Sequence, residues 1–254
     1  MRNLFAANLR RLWKSRIFRI ELLFIAIVSM LLGAIWGFYH TWEMGTLGTF
    51  YVENVMFNLF PIFNMILAIF IGLFVGSEYE YGVIRNKLSI GHTRNTVFLS
   101  DYILCIFAGL IHFFTMTAVS GAIGFILFQD FYLERMFLLL ICNCILIVVS
   151  FVTIDVAVGM NIDNKAISTV TIIILNLFLS VCASSIESLL PYLGNDSFAR
   201  TIAAFFFNLI PTGQIIQITS MQFDNMASWP LLSMVLITMV LFTGFQIFKK
   251  KDIR

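Results

Sequence analysis

The chain has 254 residues, 60% of them hydrophobic and 12% charged, with a mean hydropathy of +0.94. A soluble core of that size cannot hide so much apolar surface, so the composition excludes an ordinary water-soluble fold, and lipid is the expected solvent. The net charge of +2 is uninformative as a total, because the asymmetry of the basic residues along the chain carries the meaning.

Residues 1–19 are expected to form an amphipathic helix. Phe5, Leu9, Leu12, Trp13 and Ile17 follow the i, i+4, i+7, i+8 spacing, with Arg10, Arg11 and Lys14 largely off that stripe. Such a helix lies in the membrane interface, apolar face down and cations near anionic headgroups. The plainer reading is a basic flank to the first span. A signal peptide is disfavoured, because the basic part is too long and no small-residue cleavage site follows Tyr39.

Six apolar runs then follow, at 22–39, 55–75, 103–128, 136–158, 167–186 and 231–248. Each has about the 17–25 residues needed to cross the hydrocarbon, the third being longer and consistent with a tilted helix. Of 16 Lys and Arg residues, six lie in the first 19 positions, three in 85–94, one at Lys165 and four in 249–254, all on one predicted side; only Arg135 and Arg200 fall on the other. Basic loops are retained in the cytoplasm, so both termini are expected there and the span count is even. Trp36, Tyr39, Trp42 and Trp229 sit at predicted outer boundaries, where amphipathic aromatics settle. The outer segment 187–230 contains an apolar stretch, 198–210, that is too short to cross and ends at Pro211. It reads as an interfacial or re-entrant helix. With no internal repeat and no linker-like stretch, 1–254 is expected to be a single, all-α polytopic membrane domain.

Signatures of chemistry are missing: no phosphate loop, no His-Glu-x-x-His pair, no Gly-x-Ser-x-Gly turn. His40, His92 and His112 lie in different regions, and Cys105, Cys142, Cys144 and Cys182 all sit inside apolar runs, where thiols behave as small hydrophobes. Catalytic residues, a metal site, a directly bound cofactor and a nucleic-acid partner are not expected. Ionisable groups within the spans carry more information, because a charge in lipid is expensive. Asp101 and Asp155 lie near the cytoplasmic ends of the third and fourth spans and His112 lies within the third. They fit either a proton relay or ion site, or interface residues held by nearby Arg or Lys with His112 hydrogen-bonded inside the bundle. Asn58, Pro61 and Asn64 make the second span polar and kinked, which suits a translocation path or dimer seam as well as plain helix packing.

The first cytoplasmic loop, 76–102, is the most specific feature. It mixes acids (Glu78, Glu80), bases (Arg85, Lys87, Arg94) and apolar residues (Val83, Ile84, Leu88, Ile90), with Gly82 and Gly91 as breaks. A solvated connector would not need Tyr79, Tyr81, Ile84 and Leu88, whereas a short amphipathic helix docking on another protein would. The loop resembles that of membrane subunits of type-2 ABC exporters, where an acidic-x-acidic-x-Gly stretch leaves the second span and leads into a cytoplasmic coupling helix. Here those positions are Glu78, Glu80 and Gly82, followed by Val83, Ile84, Arg85, Lys87 and Leu88; Val83 stands where the family often has Thr. The basic N-terminal helix, six spans, long outer segment and basic C-terminal end extend the resemblance over the whole chain.

The resemblance implies a compact permease subunit in a bacterial plasma membrane, paired with a second membrane subunit that is either the same chain or a paralogue. ATP and Mg would be bound by a separate cytoplasmic ABC ATPase, which explains the missing phosphate loop. Exporters of this size resemble those handling amphipathic peptides such as bacteriocins, antimicrobial peptides or toxins. A drug or lipid exporter, a proton-coupled secondary transporter using Asp101, His112 and Asp155, and a non-transporting scaffold remain as other readings. Single cysteines at Glu43 or Asp196 in a cysteine-free background should react with an impermeant thiol reagent added from outside, while cysteines at Arg85 or Lys250 should not. The reverse pattern would overturn the topology.

Overall fold

The computed structural model describes residues 2–43, 51–128, 130, 136–194, 197–223 and 226–251. These form helices α1 (Arg2–Lys14), α2 (Arg16–Glu43), α3 (Val52–Phe57), α4 (Phe60–Glu80), α5 (Val83–Ser89), α6 (Arg94–Leu127), α7 (Phe137–Asn161), α8 (Lys165–Leu189), α9 (Phe198–Leu209), α10 (Pro211–Thr219) and α11 (Trp229–Lys250), with no strand among the described residues. Among the described residues six spans are long and apolar enough to cross a membrane, α3 and α4 counting as one, and α9 with α10 forms a pair bent by 91°. The protein is an all-helical, multi-pass membrane protein.

α6 and α8 begin ahead of their apolar runs because polar caps, not hydropathy, start them. Thr93 caps α6 by accepting from the Thr96 amide (3.3 Å), and Asn164 caps α8 by accepting from the Ile167 amide (3.1 Å). Ser15 does the same for Phe18 (3.4 Å), which divides the expected single helix over 1–19 into α1 and the start of α2. The buried stripe of α1 is Leu4, Asn8 and Leu12, while Trp13 is half exposed. The sequence stripe was therefore rotated by a residue, because Asn8 finds polar partners inside.

The second span breaks between Phe57 and Phe60. Pro61 in the first turn of α4 has no N–H for the Phe57 carbonyl, and its ring would clash there, so the ladder restarts with the Phe63 amide on Leu59 (2.9 Å). Pro211 opens α10 after an extended Ile210 for the same reason. The apolar stretch 198–210 forms α9, and α10 is an additional helix.

Burial divides the spans into inner and outer sets. About two thirds (67%) of the apolar window of α3–α4 is buried, against 22% for α2 and α8 and 17% for α11, whose exposed faces are apolar. A tight crossing joins α4 and α8. A Cβ on Gly72 would lie 2.7 Å from Thr169 Cα, and one on Gly76 would lie 2.8 Å from Lys165 Cα. These glycines are four apart and face the same helix, the small-xxx-small arrangement that lets backbones meet in lipid. Trp229, placed by sequence at a membrane boundary, is fully buried and donates to Asn208 Oδ1 (3.2 Å). Arg135 and the side chains of His40 and Trp42 lie outside the described residues.

Leucine at Gly72 should force α4 and α8 apart and cost about 1–3 kcal/mol or more. Alanine at Gly121, whose added Cβ would meet nothing nearer than 3.6 Å, should be tolerated. Thermal unfolding in detergent compares the two.

Candidate functional site

At the end of the bundle that carries most of the basic residues, the acidic motif fans out to a different neighbour at each position. Glu78 turns inward to Arg11 on α1 and Lys87 on α5. Tyr79 donates to the Met160 carbonyl at the end of α7 and accepts from Lys251 Nζ (2.9 Å), which also lies 4.1 Å from the Tyr79 ring centroid. Glu80 pairs with Lys165 at the start of α8 (2.9 Å). One turn of α4 therefore touches α1, α5, α7, α8 and the residue following α11.

The centre is a set of four charges, three of them buried and Arg11 half-buried. Lys87 Nζ donates to Glu78 Oε2 (2.7 Å) and to Asp101 Oδ1 (2.8 Å) and Oδ2 (3.0 Å). Arg11 completes the set on Glu78 and stands 4.5 Å over the Phe74 ring. Asn8 donates to Asp101 Oδ1 (2.7 Å) and Ser100 Oγ (2.9 Å). Two carboxylates face two cations, and the side chains of Glu78, Lys87 and Asp101 are each no more than 7% exposed. Charge-assisted bonds of this kind are strong, and removing one partner strands a buried charge. Asp101 is thus held by Lys87, one of the two sequence expectations for it, and Asn8 and Arg11 join the site unforeseen.

α5 is preceded by Gly82 and followed, after Ile90, by Gly91, both in the left-handed region (φ 63° and 99°) that glycine adopts without Cβ strain. Its inner face carries Ile84, 1% exposed, together with Lys87. Leu88 is half-buried against the same core, and Val83 is half-buried. Arg85, Asn86, Ser89 and Ile90 face out, Ile90 being 80% exposed. Ile84 was expected to dock on a partner; instead it anchors α5 to its own chain, because the helix must first bury an apolar face against α4 and α6. The C-terminal end is clasped as well. Arg94 on α6 donates to the Lys249 carbonyl (3.0 Å) and to that of Lys251, and Lys251 pairs with Asp163. Burial lowers the pKa of the Lys251 ammonium, and Asp163 opposes that shift.

Deeper in the spans, Asp155 is fully buried and bonds not to a base but to Asn176 Nδ2 (2.7 Å). Asn176 in turn accepts from Asn64 Nδ2 (3.2 Å). The pairing with a nearby Arg or Lys expected for Asp155 is therefore replaced by an amide chain. His112 packs edge-on to Phe18 and Phe70 at 5.0 and 5.2 Å, with both ring nitrogens buried. Asn58, Pro61 and Asn64 do not act together: Asn64 is buried, Asn58 is half-buried and Pro61 faces out. Asn176 was not singled out, although an Asn in the middle of an apolar run is itself a signal. At the opposite end, a cavity of about 580 Å³ is lined by Glu187, Arg200, Phe207, Asn208 and Gln217 among others. Among the described residues no three His, Cys, Asp or Glu side chains gather as a metal-binding group.

No protein-family model matches the chain, and no curated protein matches it. Fold and site define a multi-pass helical membrane protein whose short α5 is ion-paired into the ends of two spans.

Replacing Lys87 with Met should destabilise the protein by about 3–5 kcal/mol, because two carboxylates then depend on Arg11 and Asn8 alone. Adding Asp101→Leu should recover part of that loss, since the second stranded charge is gone. Unfolding of both variants in detergent checks the sign of the coupling.

Proposed function

We propose that the chain is the permease subunit of an ATP-driven exporter, working with a second membrane subunit and with separate cytoplasmic ABC ATPase subunits that bind ATP and Mg. The observation that carries the reading is α5: a short helix gripped from inside by Ile84 and Lys87, with Arg85, Asn86, Ser89 and Ile90 turned outward. A connector with only two spans to join needs no such anchorage. A part that receives a push needs it, because Lys87 binds Glu78 on α4 and Asp101 on α6, and displacement of α5 then moves both spans together. In this reading the α5 end, both termini included, faces the cytoplasm of a bacterium, where basic segments are retained.

The cargo proposed is an amphipathic peptide. Aromatic, sparsely charged spans accept varied apolar side chains, and the cavity at the opposite end combines Phe207 with amides and charges, a mixture suited to a peptide. A drug or a lipid is the competing cargo. A second reading, a proton-driven transporter, is favoured by the buried Asp155–Asn176–Asn64 chain.

The test uses the two faces of α5. Ile90→Asp and Arg85→Glu alter only the outward face, so the protein should fold normally but lose co-purification with an ATPase and most transport. Ile84→Asp, which puts an unpartnered charge in the chain's own core, should instead lower the amount of folded protein. Normal ATPase association and peptide transport in Ile90→Asp/Arg85→Glu would overturn the coupling assignment.

A further inference from the structure

Three side chains from three spans meet inside the bundle: Asn64 on α4, Asp155 on α7 and Asn176 on α8, none more than 3% exposed. Asp155 lies six residues from the end of α7, about 9 Å of helix. Asn176 is fully committed. Its Nδ2 donates to Asp155 Oδ1 (2.7 Å) and to the Ile172 carbonyl (2.9 Å), and its Oδ1 accepts from Asn64 (3.2 Å). Two oxygens are left over, Asp155 Oδ2 and Asn64 Oδ1, both buried and both without a partner. Each belongs to a side chain bonded directly to Asn176.

Both are acceptors, and neither has a donor. A metal cation asks for six or so oxygens and only two stand open. An ionised Asp155 would hold an uncompensated charge in a low-dielectric interior, since none of the groups packed around α7 pairs with it. On α4 the titratable groups are Glu78, Tyr79 and Glu80, engaged as described above. On α6 they are Arg94, Asp101, Tyr102, Cys105 and His112; Tyr102 shares a bond with Thr153 (2.9 Å), and Cys105 is a buried thiol. On α8 they are Lys165, Cys182 and Glu187, on α11 Lys249 and Lys250, and α10 has none. A proton on Oδ2 turns that oxygen into a donor and gives the Asn64 oxygen something to accept, so a single ligand satisfies both orphans.

We propose that this three-helix junction is a proton-binding site, in which Asp155 Oδ2 holds one exchangeable proton with Asn64 Oδ1 as its acceptor. The step is simple: water delivers a proton, one O–H bond forms on the carboxylate, and the same bond breaks on release, with no electrons transferred. Occupancy is tied to the placement of α4, because α4 brings the acceptor. This last link rests on the exporter reading, in which α4 is moved through Lys87 and Glu78. Asn64 sits one turn from Pro61 and the break in the second span, where the helix can bend.

Infrared spectroscopy of the full chain in lipid vesicles tests the site without any transport assay. A protonated-carboxyl band that shifts on exchange into deuterated water should be present, should weaken reversibly at alkaline pH and should lose one component in Asp155→Asn. Asn64→Val should move the band toward the position of a carboxyl that donates no hydrogen bond. Absence of the band, its survival at full intensity in Asp155→Asn, or indifference to Asn64→Val overturns the site. If Asp155→Asn does not fold, the exchange and pH response of the unaltered chain together with Asn64→Val decide. In the assembled complex, trapping the ATPase with nucleotide should weaken the band, and an unchanged band overturns the link to α4. Failure to find any ATPase partner counts against the exporter reading, while the bands of the chain alone still judge the proton site.

Discussion

Lys87 places one ammonium between carboxylates from two different spans, Glu78 on α4 and Asp101 on α6, and much of the architecture at the basic end follows from keeping that arrangement neutral and dry. Dehydrated charges tolerate little displacement, because attraction is strong at short range in a low-dielectric interior while each stranded charge is costly. α5 must therefore dock in one register. α1 must lie where Arg11 reaches Glu78 and Asn8 reaches Asp101. Without these links α1 and α5 would have only small apolar faces to hold them, and helices of their length are marginal alone.

Packing in the rest of the bundle is governed by lipid rather than water. Hydrocarbon is as apolar as Leu, so burying apolar surface brings little gain, and close backbone approach and polar contacts take over. Gly72 and Gly76 seat α8 against α4, and Gly244 seats α11 against Ala157 of α7. The faces of α2, α8 and α11 turned outward carry residues such as Phe24, Phe178 and Phe242, which water would reject and lipid accepts.

The two polar centres differ in completeness. At the basic end every charge of the four has an opposite charge beside it, which makes a stiff mechanical joint. In the span interior the Asn64–Asn176–Asp155 chain is satisfied along its length but open at both ends. A satisfied network holds one geometry, whereas an open one accepts a ligand or a rearrangement. α4 carries a member of each, Glu78 and Asn64, and has a proline break just beyond the second.

The sequence by itself determined the solvent, the six long apolar helices, the acidic motif and the break signals. Hydropathy, charge placement, Pro61, Pro211, Gly82 and Gly91 are local properties that act through the backbone or through lipid. It also marked Asp101, Asp155, His112 and Asn64 as unusual, since a polar group in an apolar run is conspicuous without any structure. Only the tertiary structure decided what those groups do. Asp101 has its lysine 14 residues away, while Asp155 has an asparagine from the next helix. Which face of α5 points inward was equally hidden: Ile84 and Ile90 look alike in sequence, and the rotation that buries one and exposes the other depends on Lys87 reaching carboxylates on two other helices. Pairings across distant segments depend on helix rotation and approach, and periodicity in one helix cannot specify its neighbour.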